Sequence, residues 1–89
     1  MKVKSGFVLR KVVGEYILMP VGDNIQQFNG TVLLNEVSAF VWERLQTSVS
    51  EEDLLDAIID EYEVDRETAS RDLDELLGTF TGYGIIEEE

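Results

Sequence analysis

Along this chain the spacing of apolar residues changes once, near position 35. Before that point the period is two. "FVLRKV" (7–12) and "EYILMP" (15–20) are rich in Val, Ile, Leu and aromatic residues, and Gly14 lies between them. Two such runs around a glycine predict an antiparallel hairpin with a tight turn. In the second run Tyr16 and Leu18 fall on one face while Ile17 and Met19 fall on the other. Apolar residues on both faces suit a strand covered on both sides or lying in mid-sheet. Pro20 ends the run because it has no N–H to donate. "VGDNIQQFNG" (21–30) predicts a loop with turn residues at both ends, Asn29 and Gly30 closing it, and "TVLL" (31–34) predicts a short third strand.

After "TVLL" the period becomes helical. Asn35 is a favoured N-cap, so a first helix is expected from Glu36, with Val37, Phe40, Val41 and Leu45 as its buried stripe and Trp42 on the flank. A second helix follows Ser50 as cap. Glu51, Glu52 and Asp53 occupy the first turn, where the helix dipole favours acid, and Leu54, Leu55, Ile58, Ile59 and Tyr62 form its apolar side. Asp65 caps a third helix, with Val64 placed to staple onto Ala69, and Ala69, Leu73, Leu76, Leu77 and Phe80 make the stripe. Gly78 weakens that helix slightly, and "TGYGII" stops it, leaving Ile85 and Ile86 to add a short strand or pack as a tail. "EEE" reads as a solvated end. The fold class is therefore α+β: an N-terminal three-stranded antiparallel sheet over about residues 7–34, then a three-helix bundle over about 36–81, arranged like a winged helix-turn-helix.

Length allows one core, so residues 1–89 read as a single domain with little room for a large cofactor cleft. Cysteine is absent, which removes disulfides and thiolate metal sites and suits the cytoplasm. Nothing resembles a signal peptide or a membrane span. Charge is lopsided. Residues 1–42 carry four basic and three acidic groups, whereas residues 43–89 carry three basic and sixteen acidic groups. An acidic half repels phosphate backbones and anionic lipid, and it favours basic partners when it does more than confer solubility.

With no His and no Cys, the commonest base, thiol nucleophiles and imidazole ligands are missing, and only carboxylates remain for catalysis. "DEYEVDRE" lacks the spacing of a calcium loop; its charges fall where one helix ends and the next is capped. Neither Ser38 nor Ser50 has the setting of an acyl carrier's phosphopantetheine serine. In a winged-helix DNA reader the third helix enters the groove. Here Arg66 and Arg71 are outnumbered by Asp65, Glu67, Asp72, Asp74 and Glu75, and that field opposes duplex binding. No catalytic residue, metal ligand, cofactor, nucleic acid or membrane partner is expected.

"TVLLNEVSAFVWERL", then "SEEDLLDAIIDEYEVDRETASRDLDELLGTF" and a closing "GYGII", resembles the PqqD family over nearly the whole chain, with "FVLRKVVGEYILMP" as the opening hairpin. The shared features are a Leu-Asn-Glu step into helix one, a Trp within it, a Ser-capped acidic helix ending at Tyr, and a terminal Gly-Ile. The resemblance implies a non-catalytic peptide chaperone. It would bind the leader of a ribosomally made precursor peptide and present it to a modifying enzyme, often a radical S-adenosylmethionine enzyme. It further implies that the leader pairs as an extra strand on the edge at Thr31, Val32, Leu33 and Leu34 and lies against Ala69, Asp72, Leu73 and Leu76 of helix three. Independent physics agrees, since a third strand at the edge of a meander offers free N–H and C=O groups for strand addition. A proline at Val32 is expected to weaken binding if that N–H faces outward. The competing readings are a winged-helix DNA-binding regulator and a protein–protein adaptor that uses helix faces.

Overall fold

Two hairpin strands, β2 (Phe7–Val12) and β3 (Glu15–Pro20), form where the period-two pattern places them. Gly14 turns the chain at φ +79°, a left-handed conformation that a side chain would strain. The structure, a computed structural model, describes residues 1–22 and 30–87. Asp23, Asn24 and Asn29 of the expected loop lie outside the described residues, as do the last two glutamates. The third strand of the meander, β4 (Val32–Leu34), pairs with β3 in the register Tyr16↔Leu34, Ile17↔Leu33 and Leu18↔Val32. Thr31, expected as its first residue, stands just outside it and is exposed. Strand order is β2-β3-β4, so β3 is in mid-sheet, as its doubly apolar pattern required.

Three helices follow: α1 (Glu36–Arg44), α2 (Glu51–Glu61) and α3 (Arg66–Gly82). Each starts at the expected cap. Asn35 accepts from the Ser38 N–H at 2.8 Å, Ser50 from the Asp53 N–H at 3.0 Å and Asp65 from the Thr68 N–H at 3.3 Å. These bonds satisfy donors that the first helical turn leaves without partners. Just past the C-cap Tyr83 of α3 stands Gly84, φ +74°, where the Ile85 N–H reaches the Phe80 carbonyl and the Gly84 N–H reaches that of Thr81, both at 3.0 Å. This is the Schellman closure, and its apolar partners Phe80 and Ile85 are both fully buried.

Ile86 does enter a strand. β5 (Ile86–Glu87) pairs antiparallel with β1 (Lys2–Val3), giving a second, two-stranded sheet that the N-terminal sequence did not announce. Around it the Val3 N–H donates to Leu45, the Lys4 N–H to Ile85, and the Met1 ammonium to Val49. The start of the chain thus ties down the ends of both α1 and α3.

The core lies between the inner face of the meander and the helices, with Leu18, Leu34, Val41, Trp42, Leu45, Leu54, Ile58, Leu73, Leu77 and Phe80 buried in it. Trp42 departs from the expected arrangement. It is buried, while Val37 and Phe40 of the nominated stripe are only half-buried. The reason is that α1 is packed from the sheet side and from the α2 side together, so a wider arc than one stripe is covered. Phe40 instead meets Tyr62 edge-to-face at 5.5 Å, with the Arg44 guanidinium 4.9 Å from its ring centre. The opposite face of the sheet carries Val8, Ile17, Met19 and Leu33, of which Leu33 is 67% exposed. Ile17 and Met19 therefore owe their partial burial to neighbouring strands; no second layer covers them among the described residues.

Candidate functional site

Backbone alternation decides which groups β4 presents. The Val21 N–H donates to the Gly6 carbonyl at 2.9 Å, and the β2–β3 register continues from Phe7↔Pro20 to Val12↔Glu15. In an antiparallel pair, bonded and non-bonded pairs alternate. Glu15, Ile17 and Met19 therefore bond toward β2, leaving Tyr16 and Leu18 to bond toward β4. Pro20 also faces that side, beyond the last β4 pair, so its missing N–H costs no ladder bond. It follows that Val32 and Leu34 turn their N–H and C=O groups into the sheet. Leu33, between them, directs both of its groups out of the open edge.

The side chains divide in the opposite sense. Val32 and Leu34 share the inner face with Leu18: Leu34 is buried and Val32 half-buried against the core. This settles the facing of Val32 and Leu33, and it corrects the expected role of a proline at Val32. That substitution deletes an internal ladder donor, whereas the outward N–H belongs to Leu33.

Beyond the end of β4 the surface opens into a groove of about 500 Å³. One wall is the start of α1, at Asn35, Val37 and Ser38. The other is α3, which contributes Ala69, Asp72, Leu73, Glu75, Leu76 and Thr79. Ile58, Tyr62 and Val64 close the end nearest α2. All four nominated α3 residues line this one groove, Ala69 and Leu73 as buried floor, Leu76 half-buried and Asp72 exposed on the rim. Of the nominated strand residues, Val32, Leu33 and Leu34 form the adjoining β4, Thr31 stands just outside it, and none of the four lines the groove; Asn35, directly after Leu34, joins edge to groove. Glu75 and Thr79 were not among the expected site residues, although they stand three and seven residues beyond Asp72, on the same side of the helix. Ile58 and Tyr62 carried no signal, because only the packing of α2 on α3 brings them there.

Burial, followed by the negative charges of Glu36 and Glu61, pushes the Tyr62 hydroxyl above the ordinary tyrosine value, so at neutral pH it keeps its proton. Asp65 is shifted the other way. Hydrogen bonds from the Thr68 hydroxyl and N–H hold its carboxyl below the ordinary aspartate value. Among the described residues no group of three or more His, Cys, Asp or Glu side chains is placed to hold a metal ion. No helix among them is long and apolar enough to cross a membrane.

Among the described residues, a three-stranded meander with a free edge, three helices behind it and a groove at the edge's end define a small α+β domain of the winged helix-turn-helix kind. The family model for coenzyme PQQ synthesis protein D (PqqD) matches residues 15–86, and the chain belongs to that family. Among solved structures, TbiB1 in complex with the TbiA(beta) leader peptide is 28% identical and superposes with a TM-score of 0.79, covering 100% of this chain and 98% of that one. Lasso peptide synthetase B1 complexed with the leader peptide shares the fold with a TM-score of 0.75 at 22% identity, over 98% of this chain and 96% of that one. No curated protein matches the chain.

Proposed function

We propose that this protein is a non-catalytic recognition domain for the leader of a ribosomally synthesised precursor peptide. The leader adds as a strand to the open edge of β4 and is presented to a modifying enzyme of the radical S-adenosylmethionine class. One observation carries the reading: the N–H and C=O of Leu33 point out of an edge that is unpaired among the described residues and ends at an apolar groove. Main-chain bonds at Leu33 supply sequence-independent affinity, and the groove supplies choice among side chains. The neighbour TbiB1, matched over 98% of its length, was solved with a leader peptide, which supports a leader-binding role.

Proline scanning of β4 tests it. Leu33→Pro removes the outward donor at an edge position where proline is tolerated, while Val32→Pro removes a donor to Leu18. The probe is a synthetic peptide selected on the wild-type protein from a displayed random library, followed by amide shift mapping and calorimetry. Leu33→Pro is expected to fold normally and lose leader binding, and Val32→Pro to lose stability. A Leu33→Pro protein that still binds with unchanged affinity rules out strand addition at β4.

A further inference from the structure

The groove is sorted by charge. Of the residues that line it, only Asp72 and Glu75 are charged, and both are acidic. They stand three residues apart on the exposed rim of α3, beside the groove's apolar lining, which includes Val37, Ile58, Leu73 and Leu76. Neither makes an ion pair among the described residues. The two cations of α3 do not answer them. Arg66 is engaged by Asp56 of α2 at 3.0 Å, and Arg71 lies with Arg66 in a separate shallow hollow on another side of the helix. Glu75 reaches both depressions, four residues after Arg71, yet the two form no ion pair there.

An extended peptide on the β4 edge directs every second side chain to the same face, at a spacing of about 7 Å. One such side chain covers the apolar floor, and the next on that face stands over the rim. The geometry points to a leader segment that carries an aliphatic or aromatic residue and, two positions away, a Lys or Arg whose charged end meets Asp72 and Glu75. A long cationic side chain suits the place for a second reason, because its methylene stem can lie on half-buried Leu76 while the head stays in water. An acidic residue at that position would meet two like charges inside a half of the chain that carries sixteen acidic groups against three basic ones.

This inference rests on the strand-addition reading, and one selection separates the two. Random peptides of about twelve residues, enough to run past a strand of this length, are displayed and panned against three proteins: wild type, Leu33→Pro and the double variant Asp72→Lys/Glu75→Lys. The double variant changes only exposed side chains, and Asp72→Asn/Glu75→Gln serves as its isosteric companion. Wild-type protein is expected to enrich peptides with Lys or Arg two residues from an apolar anchor. Those peptides are expected to weaken roughly tenfold on charge reversal, and the reversed protein to enrich Asp or Glu at the same position. Peptides that need Leu33 but show no charge preference, and bind the reversed protein equally well, overturn the cationic anchor while leaving strand addition intact. Peptides that bind Leu33→Pro undiminished, or a library from which nothing is enriched, overturn both.

Discussion

Two glycines in and after α3 are used in opposite ways, and they give opposite expectations. Gly78 lies inside the helix, and a Cβ added there meets nothing within 4 Å. Gly78→Ala is therefore expected to stabilise by about 0.5–1 kcal/mol, the helix-interior difference between the two residues. Gly84 also has open space around it, but its φ of +74° belongs to the left-handed region. Gly84→Ala is expected to cost roughly 1–2 kcal/mol, because the Schellman closure over Phe80 and Ile85 holds the residue in that conformation. Thermal melting reads both, since 1 kcal/mol moves the midpoint of a domain this size by about 4–8 °C. A Gly84→Ala protein as stable as wild type would show that the closure does not fix the end of α3. These assignments were legible in the sequence, as were the caps at Asn35, Ser50 and Asp65, because each depends on residues within one turn of chain. The burial of Trp42 was not, since it depends on which elements flank α1.

At the scale of elements, the two-residue strands are the least legible part of the fold. Lys2–Val3 and Ile86–Glu87 pair across almost the full length of the chain, and neither has a run long enough to show a period. Val3 is nonetheless 6% exposed, and Ile85 behind the pair is fully buried. Backbone bonds from Val3 to Leu45, Lys4 to Ile85 and Val49 to Met1 surround it at 2.9, 2.7 and 2.9 Å. Deleting residues 1–4 is expected to cost at least about 2 kcal/mol, from the burial of Val3 together with these bonds. Urea denaturation measures this, and amide exchange should show faster opening at Ile85 and Ile86 than in wild type. An unchanged denaturation midpoint would mean that the clip is ornamental to the helical core. The groove was half legible for a related reason. The family resemblance nominated Ala69, Asp72, Leu73 and Leu76 as one wall on α3, but the opposite wall comes from α1 and from the end of α2. The outward direction of Leu33 is likewise a property of pairing, which follows from the Val21–Gly6 bond and the hairpin register.

Across the whole molecule, charge is the influence with the longest reach. Residues 51–82, which contain α2 and α3, carry twelve acidic groups against two basic ones. α2 has no basic residue in its last turn, and Asp60 and Glu61 stand at its C-terminal end, where the helix dipole disfavours them. The Arg66–Asp56 pair that ties α2 to α3 is more than half exposed on both sides, so it offsets little of this repulsion. Magnitudes decide what salt does. At an ionic strength of about 0.01 M the Debye length is roughly 30 Å, comparable to the molecule's extents of 39 × 34 × 19 Å, and carboxylates on both helices repel across the domain. At about 0.15 M it is near 8 Å, and only immediate neighbours interact. Melting temperature is therefore expected to rise with sodium chloride over that range. The affinity for a leader held through Asp72 and Glu75 is expected to fall over the same range, because screening weakens attraction as it weakens repulsion. The opposite signs make the pair of measurements informative, as a general stabilisation of the fold by salt would raise both. A melting temperature indifferent to salt would show that the acidic helices are already relaxed by local geometry, and a leader affinity indifferent to salt would show that leader choice owes nothing to the field of the acidic helices.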